Sequence, residues 1–414
     1  MRRFNGMMDR DFLGKGNIMM VVIYLVVTVL FFRAFNAYKI GYFKSSSIIL
    51  SQVLAVICIN MIIMLQLILM IGKVARLRVI ISQVITMTIL DILICLVLTF
   101  LLNKLYAFLF PPYRMLEVYG DYENTLRGKI GLRTDKYILE GSVHISESMW
   151  EIQKQILEYD AVLLNDIPTR IKNELLKFCF ANSVRVYFTP KISDVLVKGA
   201  GEVHVFDTPL FLCRNTGLSI ETRILKRALD ITAALAGLIL SLPITLITAL
   251  CIKAEDGGRI FYRQERCTIQ EKRFQIYKFR SMVENAEKVG GAQLAKENDS
   301  RITKVGAFIR KTRIDELPQL INVLKGDMSL VGPRPERPEF IAENVKSIPE
   351  FAYRTKVKAG LTGYAQVYGK YNTGFLDKLK LDLLYIEKQS IWLDLKILVM
   401  TVKVVFTKES TEGI

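Results

Sequence analysis

Asp315 and Glu316 stand side by side in RITKVGAFIRKTRIDELPQLINVLKGDMSLVGPRPERPEF, residues 301 to 340. Around this carboxylate pair lie many guanidinium and ammonium groups and the turn Gly332-Pro333-Arg334-Pro335. From Arg259 to Arg313 there are fourteen Lys or Arg against six Asp or Glu, a crowding that is costly unless anions neutralise it. Arginine suits bidentate binding of phosphate oxygens. These residue types point to phosphate handling, with a carboxylate as an anionic nucleophile.

The apolar residues Ile314, Leu317, Leu320, Ile321 and Leu324 fall at helical spacing, which predicts a helix from about Ile314 to Lys325 that stops at Gly326. Asp315 and Glu316 then open that helix. Unpaired N–H groups and the positive end of the dipole would keep a carboxylate there ionised, and Pro318 in the first turn removes a donor that had no partner. The competing reading of Asp315 is a simple N-cap. The basic surroundings favour the nucleophile.

At these residues the chain resembles the bacterial polyprenyl-phosphate sugar-1-phosphate transferases, the monotopic phosphoglycosyl transferases that begin exopolysaccharide and capsule repeat units. The resemblance covers residues 222 to 407. It runs through LKRALDI, FYRQER at 261 to 266, KFRSM at 278 to 282, DELPQLINVLKGDMSLVGPRP at 315 to 335, GLTGYAQV at 360 to 367 and DLLYIEKQSIWLDLKIL at 382 to 398. It implies that Asp315 attacks the β-phosphorus of a UDP-sugar, that Glu316 assists, and that UMP leaves. Undecaprenyl phosphate is then the acceptor. By matching positions, Lys278, Arg280, Arg310 and Arg334 contact phosphates, while Mg²⁺ is implied with Asp315 as its protein ligand. Lys226 and Arg227 would anchor a re-entrant membrane helix. Two other readings stay open: a membrane glycosyltransferase that releases UDP, and a non-catalytic scaffold for polysaccharide assembly. A homodimer and later polysaccharide-assembly enzymes are further partners the resemblance leaves open.

The rest of the chain must hold this site at a membrane. Its 414 residues suggest two or three domains, and 51% hydrophobic residues suggest membrane segments beside soluble parts. Three apolar segments, about Ile18 to Phe35, Ile48 to Ile71 and Val79 to Leu102, read as spanning helices. No small-residue cleavage site follows the first, which reads as an anchor. Asp91 within the third reads as a contact inside the helix bundle. Arg2, Arg3, Arg10 and Lys15 place the N-terminus inside, which three crossings do not allow. Either one segment does not cross, or a further crossing lies near Leu105 to Phe110.

From about Met115 to Ser219, strand-like runs such as AVLLND alternate with the amphipathic TRIKNELLKFCFAN, as in a small Rossmann-like sheet. The turn Gly120 to Asn124 lacks the dinucleotide fingerprint and is acidic, so a structural or regulatory module is expected. Residues 231 to 252 form an uncharged stretch with Pro243 near its centre and basic residues at both flanks. A helix broken at Pro243 that enters and leaves one leaflet satisfies this charge bias, as in the resembling family. That family usually has Ser directly before the Pro, whereas here the order is Ser241-Leu242-Pro243. Near the C-terminus, FLDKLKLDLLYIEKQ and IWLDLKILVMTVKVVF read as interfacial or core helices.

The expected fold is thus a membrane α+β protein: transmembrane helices over 1–114, a Rossmann-like cytoplasmic domain over 115–221, and a mainly helical monotopic catalytic domain over 222–414. The expected location is the bacterial cytoplasmic membrane, multi-pass, with the catalytic domain facing the cytoplasm. A net charge of +16 suits anionic lipids and substrates. Nucleic acid is ranked low, because no recognised binding motif appears. The six cysteines lack any CxxC spacing, and His144 and His204 lie outside the motif-rich region.

Overall fold

The computed structural model describes residues 16–71, 77–122, 124–213, 217–283, 299, 301–369 and 373–405. The chain divides into two compact units, residues 1–191 and 192–414.

In the first unit, α1 (Gly16–Ala34), α2 (Ser45–Ile71) and α3 (Leu77–Leu109) are almost wholly apolar. By length and composition α2 and α3 could each cross a membrane, and α1 is a shorter apolar helix. Their polar groups turn inward: Tyr24 and Asn60 both donate to Asp91, and Asn60 also donates to Thr88. That is the intrabundle contact expected of Asp91, since an ionisable group costs least where other polar groups satisfy it. Because α3 is continuous to Leu109, the stretch from Leu105 is its end and not a separate crossing.

Beyond these helices come β1 (Tyr113–Tyr119), α4 (Leu126–Gly131), β2 (Tyr137–His144), α5 (Met149–Ile156), β3 (Ala161–Asn165), α6 (Thr169–Ala181) and β4 (Arg185–Phe188). The strands form one parallel sheet in the order β2-β1-β3-β4. Every residue of β3 is buried, because α5 and α6 pack on one face of the sheet and α4 on the other. A strand covered on both faces reads as a continuous apolar run.

The second unit begins at residue 192. In α7 (Ile192–Val197), Val195 is buried in the same core as Leu379 and Leu383. The hairpin of β5 (Gly201–Val205) and β6 (Thr208–Leu212) follows. Then comes α8 (Ile220–Asp256), which runs unbroken through Pro243. The expected interruption of 231–252 at Pro243 does not form. A proline removes a single rung, and hydroxyls serve the carbonyls of the flanking turns: Ser241 donates to Leu238 and Thr245 to Leu242. Asp230, Ala234, Ser241, Thr248 and Ile252 make one buried stripe along α8, while Leu235, Ile239, Leu240, Leu246, Ile247 and Leu250 are exposed.

The remaining elements build the site. They are the antiparallel pair β7 (Phe261–Cys267) and β8 (Arg273–Phe279), then α9 (Lys304–Lys311), a 3-10 turn (Ile314–Glu316) and α10 (Gln319–Lys325). β9 (Ser329–Val331), α11 (Pro338–Ser347), a second 3-10 segment (Pro349–Lys356) and β10 (Gly360–Thr362) come next, with β9 and β10 paired in parallel. α12 (Tyr364–Tyr368), α13 (Phe375–Glu387) and α14 (Ile391–Val405) complete the described chain.

Candidate active site

The carboxylate pair does not open an α-helix as the apolar spacing suggested. Arg313 takes the left-handed conformation at φ 57° after α9, and the chain then makes the 3-10 turn that carries Asp315 and Glu316 before Pro318 caps α10. A non-glycine residue held there costs on the order of 1–3 kcal/mol, and such strain persists only where the surroundings fix it. α10 is fixed by Asn322, fully buried, whose side chain accepts from Tyr277 N–H at 3.0 Å and donates to Gln275 O at 2.8 Å. The turn is therefore tied to β8, the strand that carries Lys278.

Side-chain cations, not helix-end N–H groups, set the charge of the pair. Lys278 Nζ lies 3.1 Å and Arg334 Nη2 2.8 Å from the same oxygen, Glu316 Oε1, and Arg313 is 4.0 Å from Oε2. Burial alone would raise the Glu316 carboxyl. The Arg334, Lys278 and Arg313 cations outweigh it and hold the group well below the usual carboxylate range. Asp315 differs. Burial pushes it up, and the charge of Lys278, 3.9 Å away, offsets this only in part, with the Glu316 charge adding to the rise. Among the described residues no donor hydrogen-bonds the Asp315 carboxylate, so its lone pairs face a cationic wall without being consumed by it.

Of the phosphate ligands expected from the motifs, Lys278 and Arg334 meet at the pair. Arg310, in the last turn of α9, favours the charged form of Asp315. Arg280 is buried and paired with Asp256 at the end of α8. Lys226 and Arg227, expected at the membrane interface, point instead into the catalytic unit. Lys226 Nζ is 2.5 Å from Asp394 Oδ2 and 3.1 Å from Val331 O, while Arg227 donates to Val323 O at 2.6 Å and Leu324 O at 2.7 Å. Asp230 accepts from Leu330 N–H at 3.0 Å. The first turns of α8 thus hold the end of α10 and the strand leading to Arg334. Asp394, Asp230, Asn322 and Arg313 were missed by sequence reasoning, since each looks like an ordinary polar residue until its partner from another element is known.

The turn carrying Arg334 depends on close backbone crossing. Gly332 N–H donates to Thr362 O and Gly360 N–H to Pro333 O, each at 2.9 Å. A Cβ on Gly360 would stand 2.0 Å from Gly332 N, which is why GLTG and GPRP must meet at glycine.

This constellation, a buried carboxylate pair under three cations beside a long apolar helix, agrees with comparisons to known proteins. The family described as bacterial sugar transferase matches residues 221–408. A UDP-N-acetylgalactosamine-undecaprenyl-phosphate N-acetylgalactosaminephosphotransferase of Aeromonas hydrophila is 38% identical over 61% of this chain and 60% of its own length. A UDP-glucose:undecaprenyl-phosphate glucose-1-phosphate transferase of Klebsiella pneumoniae is 34% identical over 73% of this chain and 64% of its own. An uncharacterized sugar transferase, EpsL, of Bacillus subtilis (strain 168) is 40% identical over 46% of this chain and 91% of its own. The chain belongs to the bacterial sugar transferase family. It spans less than two thirds of the length of the Aeromonas and Klebsiella relatives.

Proposed function

We propose that this protein transfers a sugar 1-phosphate from a UDP-sugar to undecaprenyl phosphate, with release of UMP, as the first membrane step of exopolysaccharide or capsule synthesis. The observation that carries this is the division of labour in the pair: Glu316 holds the cations, and Asp315, 3.9 Å from Lys278, accepts no hydrogen bond among the described residues. An Asp315 oxygen attacks the β-phosphorus; the bond from that phosphorus to the bridging oxygen breaks and UMP departs. An oxygen of undecaprenyl phosphate then attacks the phosphosugar held on Asp315, which regenerates the carboxylate and gives the lipid diphosphate sugar. Splitting one displacement between two anions into two steps is the benefit of a covalent carboxylate. Lys278 and Arg334 supply fixed positive charge where negative charge gathers.

The residues fit Mg²⁺ through a single protein carboxylate. Asp315 is the carboxylate of the pair that accepts no hydrogen bond among the described residues, and an ion that keeps water and substrate phosphates among its ligands needs only one or two from the protein. Among the described residues no three His, Cys, Asp or Glu gather into a closed site. When bound, the ion would neutralise part of the diphosphate charge.

The two-ended attachment of α8 supports a monotopic placement, with the helix on one face of the membrane. Asp230 near its start reaches Leu330, and near its end Asp256 reaches Arg280 and Glu255 accepts from Lys304 N–H at 2.8 Å, all within one unit. A helix crossing the bilayer could not keep both ends on one soluble body. The exposed apolar face of α8 then lies in lipid, the catalytic unit faces the cytoplasm, and the parallel sheet of the first unit is a Rossmann-like accessory module. The relatives' names specify UDP-N-acetylgalactosamine in one case and UDP-glucose in another, which supports a UDP-sugar as the donor. Purified full chain in lipid discs with Mg²⁺, undecaprenyl phosphate and a panel of UDP-sugars should release UMP with at least one of them. Release of UDP in its place would sink the reading.

A further inference from the structure

The turn that presents Arg334 rests on a buried ion cluster. Four successive carbonyls, Pro333 to Glu336, each accept from a different group: Gly360 N–H at 2.9 Å, Arg354 Nη2 at 3.2 Å, Arg266 Nη1 at 3.3 Å and Cys267 N–H at 2.9 Å. Prolines 333 and 335 have no N–H to offer a regular ladder, so the surroundings must supply donors to the turn's carbonyls. Glu336 bridges the two arginines, with Oε1 3.4 Å from Arg354 Nη1 and Oε2 3.7 Å from Arg266 Nη1. Arg354 Nε donates to Asp382 Oδ2 at 2.8 Å.

Two cations and two carboxylates thus cancel behind the turn. Arg354 is 7% exposed and Asp382 1% exposed. Burying such a set is no efficient route to stability, because apolar residues of similar volume generally do as well or better. What the set achieves is direction. The planar fork of Arg354 is divided among Asp382, Glu336 and the carbonyl of Arg334 itself, a three-way hold that the single ammonium of lysine cannot reproduce.

We propose that Arg354 is a positioning residue: through the Arg334 carbonyl it fixes where the Arg334 guanidinium points. The proposal rests on the reading of Arg334 as a phosphate ligand in the reaction above. Glu336 and Arg266 complete the same frame from the other side of the turn.

A double-mutant cycle in the full chain, reconstituted in lipid discs, tests this. Arg354→Lys keeps a cation beside Asp382 and removes the fork. In the otherwise native protein it should lower kcat/KM about tenfold, the scale on which members of one network couple. In an Arg334→Ala background the same change should cost less than about twofold, since there is no guanidinium left to aim. Equal proportional losses in both backgrounds, or no loss in either, would overturn the proposal. If Arg354→Lys does not fold, Glu336→Gln is put through the same cycle with the same criterion. Equilibrium binding of UDP to these proteins separates the proposal from the reaction: UDP binding weakened by Arg334→Ala, with no UMP release from any UDP-sugar, contradicts the reaction and still reads the cycle as affinities. UDP binding untouched by Arg334→Ala overturns the positioning role.

Discussion

Arg334 donates to Glu316 Oε1 at 2.8 Å, so the guanidinium that follows α10 is tied to the carboxylate that precedes it. The charge of Glu316 in turn pushes the Arg334 guanidinium above its ordinary value. Glu316 therefore works as a permanent anion that collects Arg334 and Lys278 over Asp315, and its strongly lowered carboxyl is unsuited to carrying protons near neutral pH.

Glu316→Gln keeps the shape and removes that anion. Arg334 and Lys278 lose their common partner, and UMP release should fall about a hundredfold, with a loss of roughly 1–3 kcal/mol in stability from unpaired charge. Turnover and thermal unfolding of the purified variant measure the two effects. Activity within about twofold of the parent would show that the carboxylate does not organise the cations.

Gly360→Ala places a methyl group where Gly332 N stands 2.0 Å away. Backbone on both sides must move, so stability should drop by about 1–3 kcal/mol and UMP release should fall further than the unfolded fraction explains. Parallel melting and activity curves decide this; full activity in the folded fraction would separate the glycine crossing from the placement of Arg334.

Burial raises the Asp394 carboxyl, and Lys226 and the Tyr385 hydroxyl, which donates to it at 2.8 Å, pull it back only in part. A raised folded value means that its contribution is fully present below the unfolded value and is lost as pH rises through the folded one. Lys226→Met removes the main downward pull, which raises the carboxyl further and increases the cost of charging it. The variant's deficit in Tm should be largest near neutrality and shrink as pH falls toward about 4, the ordinary aspartate value. A deficit independent of pH would argue that Lys226 acts by packing alone.

Cysteine reporters at Glu221, in the first turn of α8, and at Arg259, just after its end, both exposed, test its placement in the membrane. Both should react with an impermeant reagent from the cytoplasmic side and neither from the outside. Opposite sides for the two would mean that α8 spans, and the proposed meeting of lipid and nucleotide substrates at one face would fail.

What the sequence made legible follows physical range. The parallel strands, the apolar helices and the meeting of Lys278 and Arg334 at Asp315 and Glu316 were readable, because periodicity and dense charge are local signals. The uninterrupted course of α8 was not. Pro243 announces a break, but the helix continues through it along a packed stripe from Asp230 to Ile252. The ion pairs of Arg280 with Asp256 and of Lys226 with Asp394 were not readable either, because each partner arrives from another element. The Arg354 frame has no local signature at all, since its members lie on four separate segments.

The covalent role of Asp315 is the central claim, and a single-turnover experiment without acceptor addresses it most directly. Full chain mixed with an accepted UDP-sugar and Mg²⁺, but no undecaprenyl phosphate, should release UMP in a burst up to one equivalent. Intact-mass and peptide analysis should find the sugar phosphate on the peptide bearing Asp315, and Asp315→Asn should abolish both signals. No burst and no adduct, in a preparation that turns over once undecaprenyl phosphate is added, would contradict the covalent account and require direct transfer between the two substrates.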